Sequence, residues 1–232
     1  MTNNLHPLDR PVWNSLTTRQ AHLALGDTRA LRYAPAINLF GAAADNSPAN
    51  LFALACLLPP GGTLGLVEAG DVALPPDSAI RSRATINQMV LTELNAPGSQ
   101  IGGDPIDFVA LSDDDAPEML ALATLTAPGP FFAQTNRLGD FIGVKQDGRL
   151  VAMAGERMKP TGFTEVSAVC THPDHRGHGY ARVLMQIVIE RILARNETAF
   201  LHVYPGNGAI PLYEALGFSL RAAMTYTVLE RS

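Results

Sequence analysis

The chain has 232 residues, 47% of them hydrophobic and 17% charged, and a formal net charge of −5. That length can bury a real core, and the composition excludes an acidic disordered tail or a coiled coil. A pI near 5.6 argues against a surface that neutralises nucleic-acid phosphates, and the longest plain apolar stretch, 51–58, is far short of the ~20 residues a membrane span needs.

The opening Met1-Thr-Asn-Asn-Leu-His-Pro-Leu-Asp9 lacks the cationic and apolar regions of a secretory signal, so a cytoplasmic protein is expected. Cys56 and Cys170 are too few and too far apart for a disulfide scaffold or a zinc ribbon. They read as two buried, small apolar residues.

In chain order, 11–25 reads as a helix, 31–36 as a strand and 47–58 as a helix that Pro59-Pro-Gly-Gly62 then breaks. Strands are expected at 63–68 and 85–91, the second rich in β-branched residues. The segment 95–105, crowded with Pro, Gly and Ser, is the best linker. It places a boundary between residues 103 and 104, with neither half carrying a tail of opposite charge. No cluster in 1–103 suggests chemistry.

Beyond the linker come a strand at 106–111 and a helix opened by Asp113-Asp-Asp115, whose acidic residues complement the helix dipole. Strands at 141–145 and 150–158 flank Gln146-Asp147-Gly148-Arg149, a hairpin signal. A strand at 165–171 precedes a helix at 179–195, with apolar residues at 181, 184, 185, 188, 189 and 192 marking one buried face. A strand at 198–204, a short helix at 209–216 and a strand at 220–229 complete the chain. The order β-α-β-β-β-α-β-α-β is that of a mixed sheet with helices on its faces.

The informative segment is Val169-Cys-Thr-His-Pro-Asp-His-Arg-Gly-His-Gly-Tyr-Ala181. Pro173 stops the strand, and Gly177 and Gly179 let backbone amides turn toward one point. The helix start adds unpaired N–H groups and the positive end of its dipole, which together suit a pyrophosphate. Arg176 supplies a cation whose fork matches phosphate oxygens.

Arg176-Gly-His-Gly-Tyr-Ala181 resembles the Arg-x-x-Gly-x-Ala pattern of the GNAT superfamily of N-acetyltransferases. The preceding Val-x-Thr-x-Pro strand end and the later Ala209-Ile-Pro-Leu-Tyr-Glu-Ala-Leu-Gly-Phe218 are similar to that family too. The resemblance covers about 104–232. It implies an α/β (α+β) fold: a GNAT-like mixed central sheet flanked by helices, preceded over 1–103 by a smaller α/β domain of unknown role. That first half has neither motif; it is read as an extra domain, as in glycine N-acyltransferase-like members, with a decayed copy of the same fold as one alternative.

The resemblance also implies roles. Amides of Arg176, Gly177, His178, Gly179, Tyr180 and Ala181 would hold the pyrophosphate of acetyl-CoA, with Val169, Cys170 and Thr171 beside its pantetheine arm. Tyr213 would protonate the departing thiolate, being protonated at neutral pH because a phenol titrates near ~10. Glu165, at the start of the strand feeding the cradle, is the expected base, with Glu156 its rival; Glu197 and Glu214 look like solvated helix-end charges. The family commonly has Asn seven residues before the tyrosine, whereas here Gly206 stands there and Asn207 is six before, which leaves the coenzyme role of Asn207 open. His172, His175 and His178 follow Cys170 at regular spacing, but they wrap a loop that amide geometry already explains, so no metal is expected. The implied activity is transfer of acetyl from acetyl-CoA to a small amine or amino acid by direct attack in a ternary complex. No nucleic-acid or membrane partner is expected, and a homodimer is left open. The alternative is a non-catalytic acyl-CoA-binding or sensing module.

Overall fold

The structure, a computed structural model, describes residues 6–70, 72–95 and 107–232. Its N-terminal part contains α1 (Pro11–Leu16), β1 (Ala24–Gly26), β2 (Ala30–Tyr33), β3 (Gly41–Ala43), α2 (Pro48–Cys56), β4 (Leu64–Glu68) and β5 (Ser78–Leu91). The helix expected over 11–25 ends at Leu16. There Thr17 and Thr18 turn their hydroxyls back onto the carbonyls of Trp13 and Asn14, and the chain passes through a 3-10 turn into β1. Strand β3, absent from the sequence reading, consists of small residues with no β-branched signal. Its backbone packs so closely that a Cβ on Gly41 would lie 2.9 Å from Leu64 Cδ1. β5 is longer than expected because its first half is polar and exposed, and reads as loop in one dimension.

The remaining elements fall close to their expected positions: β6 (Val109–Leu111), α3 (Ala116–Thr126), β7 (Phe141–Gln146), β8 (Arg149–Glu156), β9 (Phe163–Thr171), α4 (Tyr180–Ala194), β10 (Thr198–Val203), α5 (Ile210–Leu216) and β11 (Phe218–Arg231). At the β7–β8 hairpin Asp147 and Gly148 both have positive φ, at 50° and 76°, the backbone that an Asp-Gly turn favours. On α4 the residues Leu184, Met185, Val188, Ile189 and Ile192 are buried, whereas Ala181 is only half-buried because it belongs to the loop end.

Eight strands form one sheet in the order β4-β11-β5-β10-β9-β8-β7-β6, and β1-β2-β3 form a second, smaller one. All pairings in the large sheet are antiparallel except β9 with β10. The parallel pair meets only at Phe163 with Thr198, Thr164 with Ala199 and Glu165 with Phe200, after which the strands diverge. The boundary expected at 103/104, and all of the expected linker but Asn95, lie outside the described residues. Strands from both sides of that boundary share the large sheet, with β5 inserted between β10 and β11.

The two halves also share a core. Leu8, Val12, Leu16 and Tyr33 pack in one cluster with Met158, Phe200 and Met224. Within it the buried Gln20 has every hydrogen-bonding group engaged. Oε1 accepts from the Tyr33 hydroxyl at 2.6 Å and from the Lys159 amide at 3.2 Å, while Nε2 donates to the carbonyls of Leu138 and Arg157. Buried polar groups left unpaired are costly, so a side chain satisfied across both halves fixes their register.

Candidate active site

Against the end of β9 lies a cavity of about 770 Å³. Its wall contains Val169, Cys170 and Thr171, then Arg176 through Ala181, and finally Asn207 and Tyr213. These residues come from the end of β9, the loop into α4, and the turn into α5. Beyond Glu165 that edge of β9 has lost its partner, so its polar backbone is available to a ligand that lies as an extra strand. A bulge follows, where Ala168 takes φ 52° and the register to β8 shifts.

The loop fits an anion for a countable reason. The N–H groups of Gly177, His178, Gly179, Tyr180, Ala181 and Arg182 make no hydrogen bond to any described residue. Gly177 (φ 82°) and Gly179 (φ 78°) adopt left-handed backbone, and no atom lies within 4 Å of where a Cβ on Gly177 would stand. Six free amides at a helix start, beside an open space, are what a diphosphate needs. Arg176 is exposed and, like Arg182, makes no ion pair among the described residues. Arg182 also lines the cavity, although the sequence reading assigned the cation to Arg176 alone.

Cys170 faces away from this chemistry. Its thiol packs with Met119, Phe141 and Met153, and burial pushes its pKa up to about 11, so it meets the ligand side only through its backbone. Cys56, expected to be buried, is exposed near the end of α2. His172, His175 and His178 do not gather as a metal set: the described residues contain no group of three or more His, Cys, Asp or Glu placed to hold an ion. Instead His178 Nδ1 lies 3.1 Å from the His175 carbonyl, and its ring stacks on Tyr180 at 5.5 Å.

Tyr213, on α5, lines this cavity and two smaller ones. Its hydroxyl has no hydrogen-bond partner among the described residues, and burial raises its pKa, so it stays protonated. The helix is aimed by Gly217, its C-terminal residue at φ 104°, where a Cβ would come 1.7 Å from the Glu93 carbonyl oxygen. Asn207 reaches the cavity despite its one-residue offset. It sits in the turn before α5, where Oδ1 accepts from the Ala209 amide at 2.8 Å.

Both glutamates singled out as bases are committed elsewhere. Glu165 is fully buried and accepts from Arg157 at 2.6 and 2.8 Å, from the Met158 amide at 3.3 Å, and contacts His202 Nδ1 at 2.8 Å. Burial alone would raise its pKa, but Arg157 and His202 outweigh it and hold the carboxyl at about 2. A carboxylate that weakly basic, lining none of the three cavities, is a structural anion. Glu156 is likewise buried, and Lys159 at 2.6 Å and Arg195 at 2.5 Å hold it below its usual range against the opposing effect of burial. Glu197, expected to be solvated, is largely buried and pairs with Arg19 of the N-terminal part at 2.9 Å; Glu214 is exposed as expected.

Two functional neighbours escaped the sequence reading, Arg157 and His202. Both line the cavities shared with Tyr213. His202 is buried and oriented from both sides. Arg221 donates to Gln88 Oε1 at 2.7 Å, so Gln88 presents its NH₂ to His202 Nε2 at 3.1 Å, leaving the imidazole proton on Nδ1 toward Glu165. The available signal was a lone polar residue on the inward face of a strand, two positions from Phe200, which pairs with Glu165.

Residues 141–228 match the model of the FR47-like protein family. A GNAT-family protein from Novosphingobium aromaticivorans, provisionally described as an acetyltransferase, is 45% identical, over 98% of this chain and 100% of that one, with a TM-score of 0.88. The chain belongs to the GNAT family of acetyltransferases. A GCN5-related N-acetyltransferase from Kribbella flavida (19% identity, 94% and 95% of the two chains, TM-score 0.58) shares its fold. So does a GCN5-related N-acetyltransferase-like protein from Streptococcus suis (13% identity, 97% and 94%, TM-score 0.56). No curated protein matches the chain. The Novosphingobium relative spans both halves, so the similarity extends well beyond the motif-bearing residues 104–232.

Proposed function

We propose that the protein transfers acetyl from acetyl-CoA to a primary amine of a small molecule or amino acid, by direct attack within a ternary complex. The observation that carries this reading is the position of Tyr213, which with Pro128 lines the amide-lined cavity and both smaller cavities. The amides of 177–182, with Arg176 and Arg182, hold the diphosphate; the free edge of β9 at Val169 and Thr171 pairs with the pantetheine amides. Asn207 offers its uncommitted Nδ2 to the same arm. When bound, the coenzyme supplies an activated thioester carbonyl. The recess beside Tyr213, about 50 Å³ and walled by Met185 and Leu201, suits an acyl group as short as acetyl.

The amine nitrogen forms the new C–N bond as the C–S bond breaks. Tyr213 donates its proton to the leaving sulfur and regains one from solvent. The proton lost by the amine goes to water, since neither Glu165 nor Glu156 is free to accept it. In this division of labour residues 104–232 carry the coenzyme site and residues 1–103 contribute part of the acceptor wall. An extra N-terminal segment of that kind supports kinship with glycine N-acyltransferase-like members. The test is release of free thiol from acetyl-CoA across a panel of amines and amino acids, with coenzyme affinity measured in parallel. Tight binding with no amine-dependent thiol release would favour the sensing module.

A further inference from the structure

The second cavity beside Tyr213 has its own chemistry. It measures about 250 Å³, below the ~300–1,000 Å³ usual for pockets that hold drug-sized ligands. It shares Pro128, Asn207 and Tyr213 with the coenzyme cavity, so a molecule in it abuts the end of that site. Its walls are aromatic and aliphatic: Phe40, Val67 and Ile86 from the N-terminal part, Tyr204 after β10, and Tyr226 on β11. Phe40 and Tyr226 stand edge to face with centroids 5.9 Å apart, a preformed aromatic corner.

The charged groups around it are already neutralised. Arg157 lies over the Phe40 ring at 5.3 Å, but its charge is matched by the bidentate pair with Glu165. His202 is likewise tied, through Nδ1 to Glu165 at 2.8 Å and through Nε2 to Gln88 at 3.1 Å. No Asp or Glu side chain is among the described lining residues. An ammonium ion entering this cavity is stripped of water and meets no counter-carboxylate. Burial without a partner lowers an amine's pKa and favours its neutral form, which is the nucleophile the reaction needs.

Resting on the transferase reading above, we infer that this cavity is the acceptor site and takes a small primary amine carried on an aromatic body. The ring lies in the Phe40–Tyr226 corner and the amine faces Tyr213. A polyamine, whose further charges would be buried unpaired, is excluded by the same walls. The cavity thus replaces a dedicated base by desolvation, and the N-terminal part determines which amine is used.

The experiment compares kcat/KM with acetyl-CoA for phenethylamine, spermidine and a lysine-containing peptide, in the unaltered protein and in Phe40→Ala and Tyr204→Ala. Tyr204 is 52% exposed, so its truncation leaves the fold intact if loss of Phe40 does not. Acetyl-CoA affinity by calorimetry checks that each variant is folded. Phenethylamine is expected to exceed the other two by about tenfold or more, and each truncation to erase much of that margin, as loss of buried aromatic area requires. A higher kcat/KM for spermidine or the peptide overturns the inference alone, as does a margin unchanged in both variants. Coenzyme binding without transfer to any amine overturns the transferase reading, and this one with it.

Discussion

At the residue scale, the decisive group is Tyr213. If it is the acid, Tyr213→Phe lowers kcat by about 100-fold or more, the usual contribution of positioned proton transfer, with acetyl-CoA affinity unchanged. The sign of the pH effect follows from its raised pKa. The protonated phenol is the active form, so kcat holds as pH rises and falls only above the ordinary phenol value of ~10, and this limb disappears in the Phe variant. Glu165 shows how a residue type can mislead. A glutamate on the strand that feeds the cradle looks like a base, yet only its neighbours reveal that Arg157 consumes it, and Arg157 lies eight residues earlier on another part of the chain. Its folded pKa is depressed from 4.5 to about 2, so its contribution to stability is complete above pH 4.5 and is lost as pH falls toward 2. Glu165→Gln removes that acid-sensitive window and, by leaving Arg157 buried without its partner, costs about 3–5 kcal/mol in denaturant unfolding.

At the scale of elements, two glycine positions set the site. Gly179 begins α4 in left-handed backbone that proline cannot adopt, and its amide is one of the six that point free. Gly179→Pro is expected to weaken acetyl-CoA binding by tenfold or more (~1.4 kcal/mol), read by calorimetry, while α4 itself, anchored by its buried face, keeps its helical signal. Gly217 aims α5 and therefore Tyr213. The long helix, the hairpin and the order of elements after residue 107 were all legible, because periodicity and turn chemistry are local signals. Strand β3 and the first half of β5 were not. The former has small residues that matter for close packing, and the latter is polar on a strand whose pairing partner, β11, lies more than a hundred residues away.

For the whole molecule, the shared sheet and the shared core bind the two halves into one cooperative unit. With β5 between β10 and β11, removing residues 1–106 would leave an unpaired central edge and open the cluster around Phe200. The intact chain is expected to unfold in a single calorimetric transition, and the piece 107–232 to be aggregation-prone when expressed alone. Two resolved transitions would contradict this. Gln20→Ala, which cuts three hydrogen bonds between the halves and one to Tyr33, should lower the midpoint of that one transition without splitting it.

The sequence by itself made the candidate anion cradle legible, because its chemistry lies in consecutive residues whose amides, glycines and helix start need no distant partner. It also set Asn207 just before the short helix that carries Tyr213. Only the tertiary structure decided which carboxylates are free, since ion pairing depends on who folds against whom. It alone joined Phe40, Val67 and Ile86 to Tyr226, turning an N-terminal stretch without any visible motif into a wall of the second cavity. The modest net charge is consistent with both cavities: one presents backbone amides and two arginines, and the other has no Asp or Glu among its described lining residues.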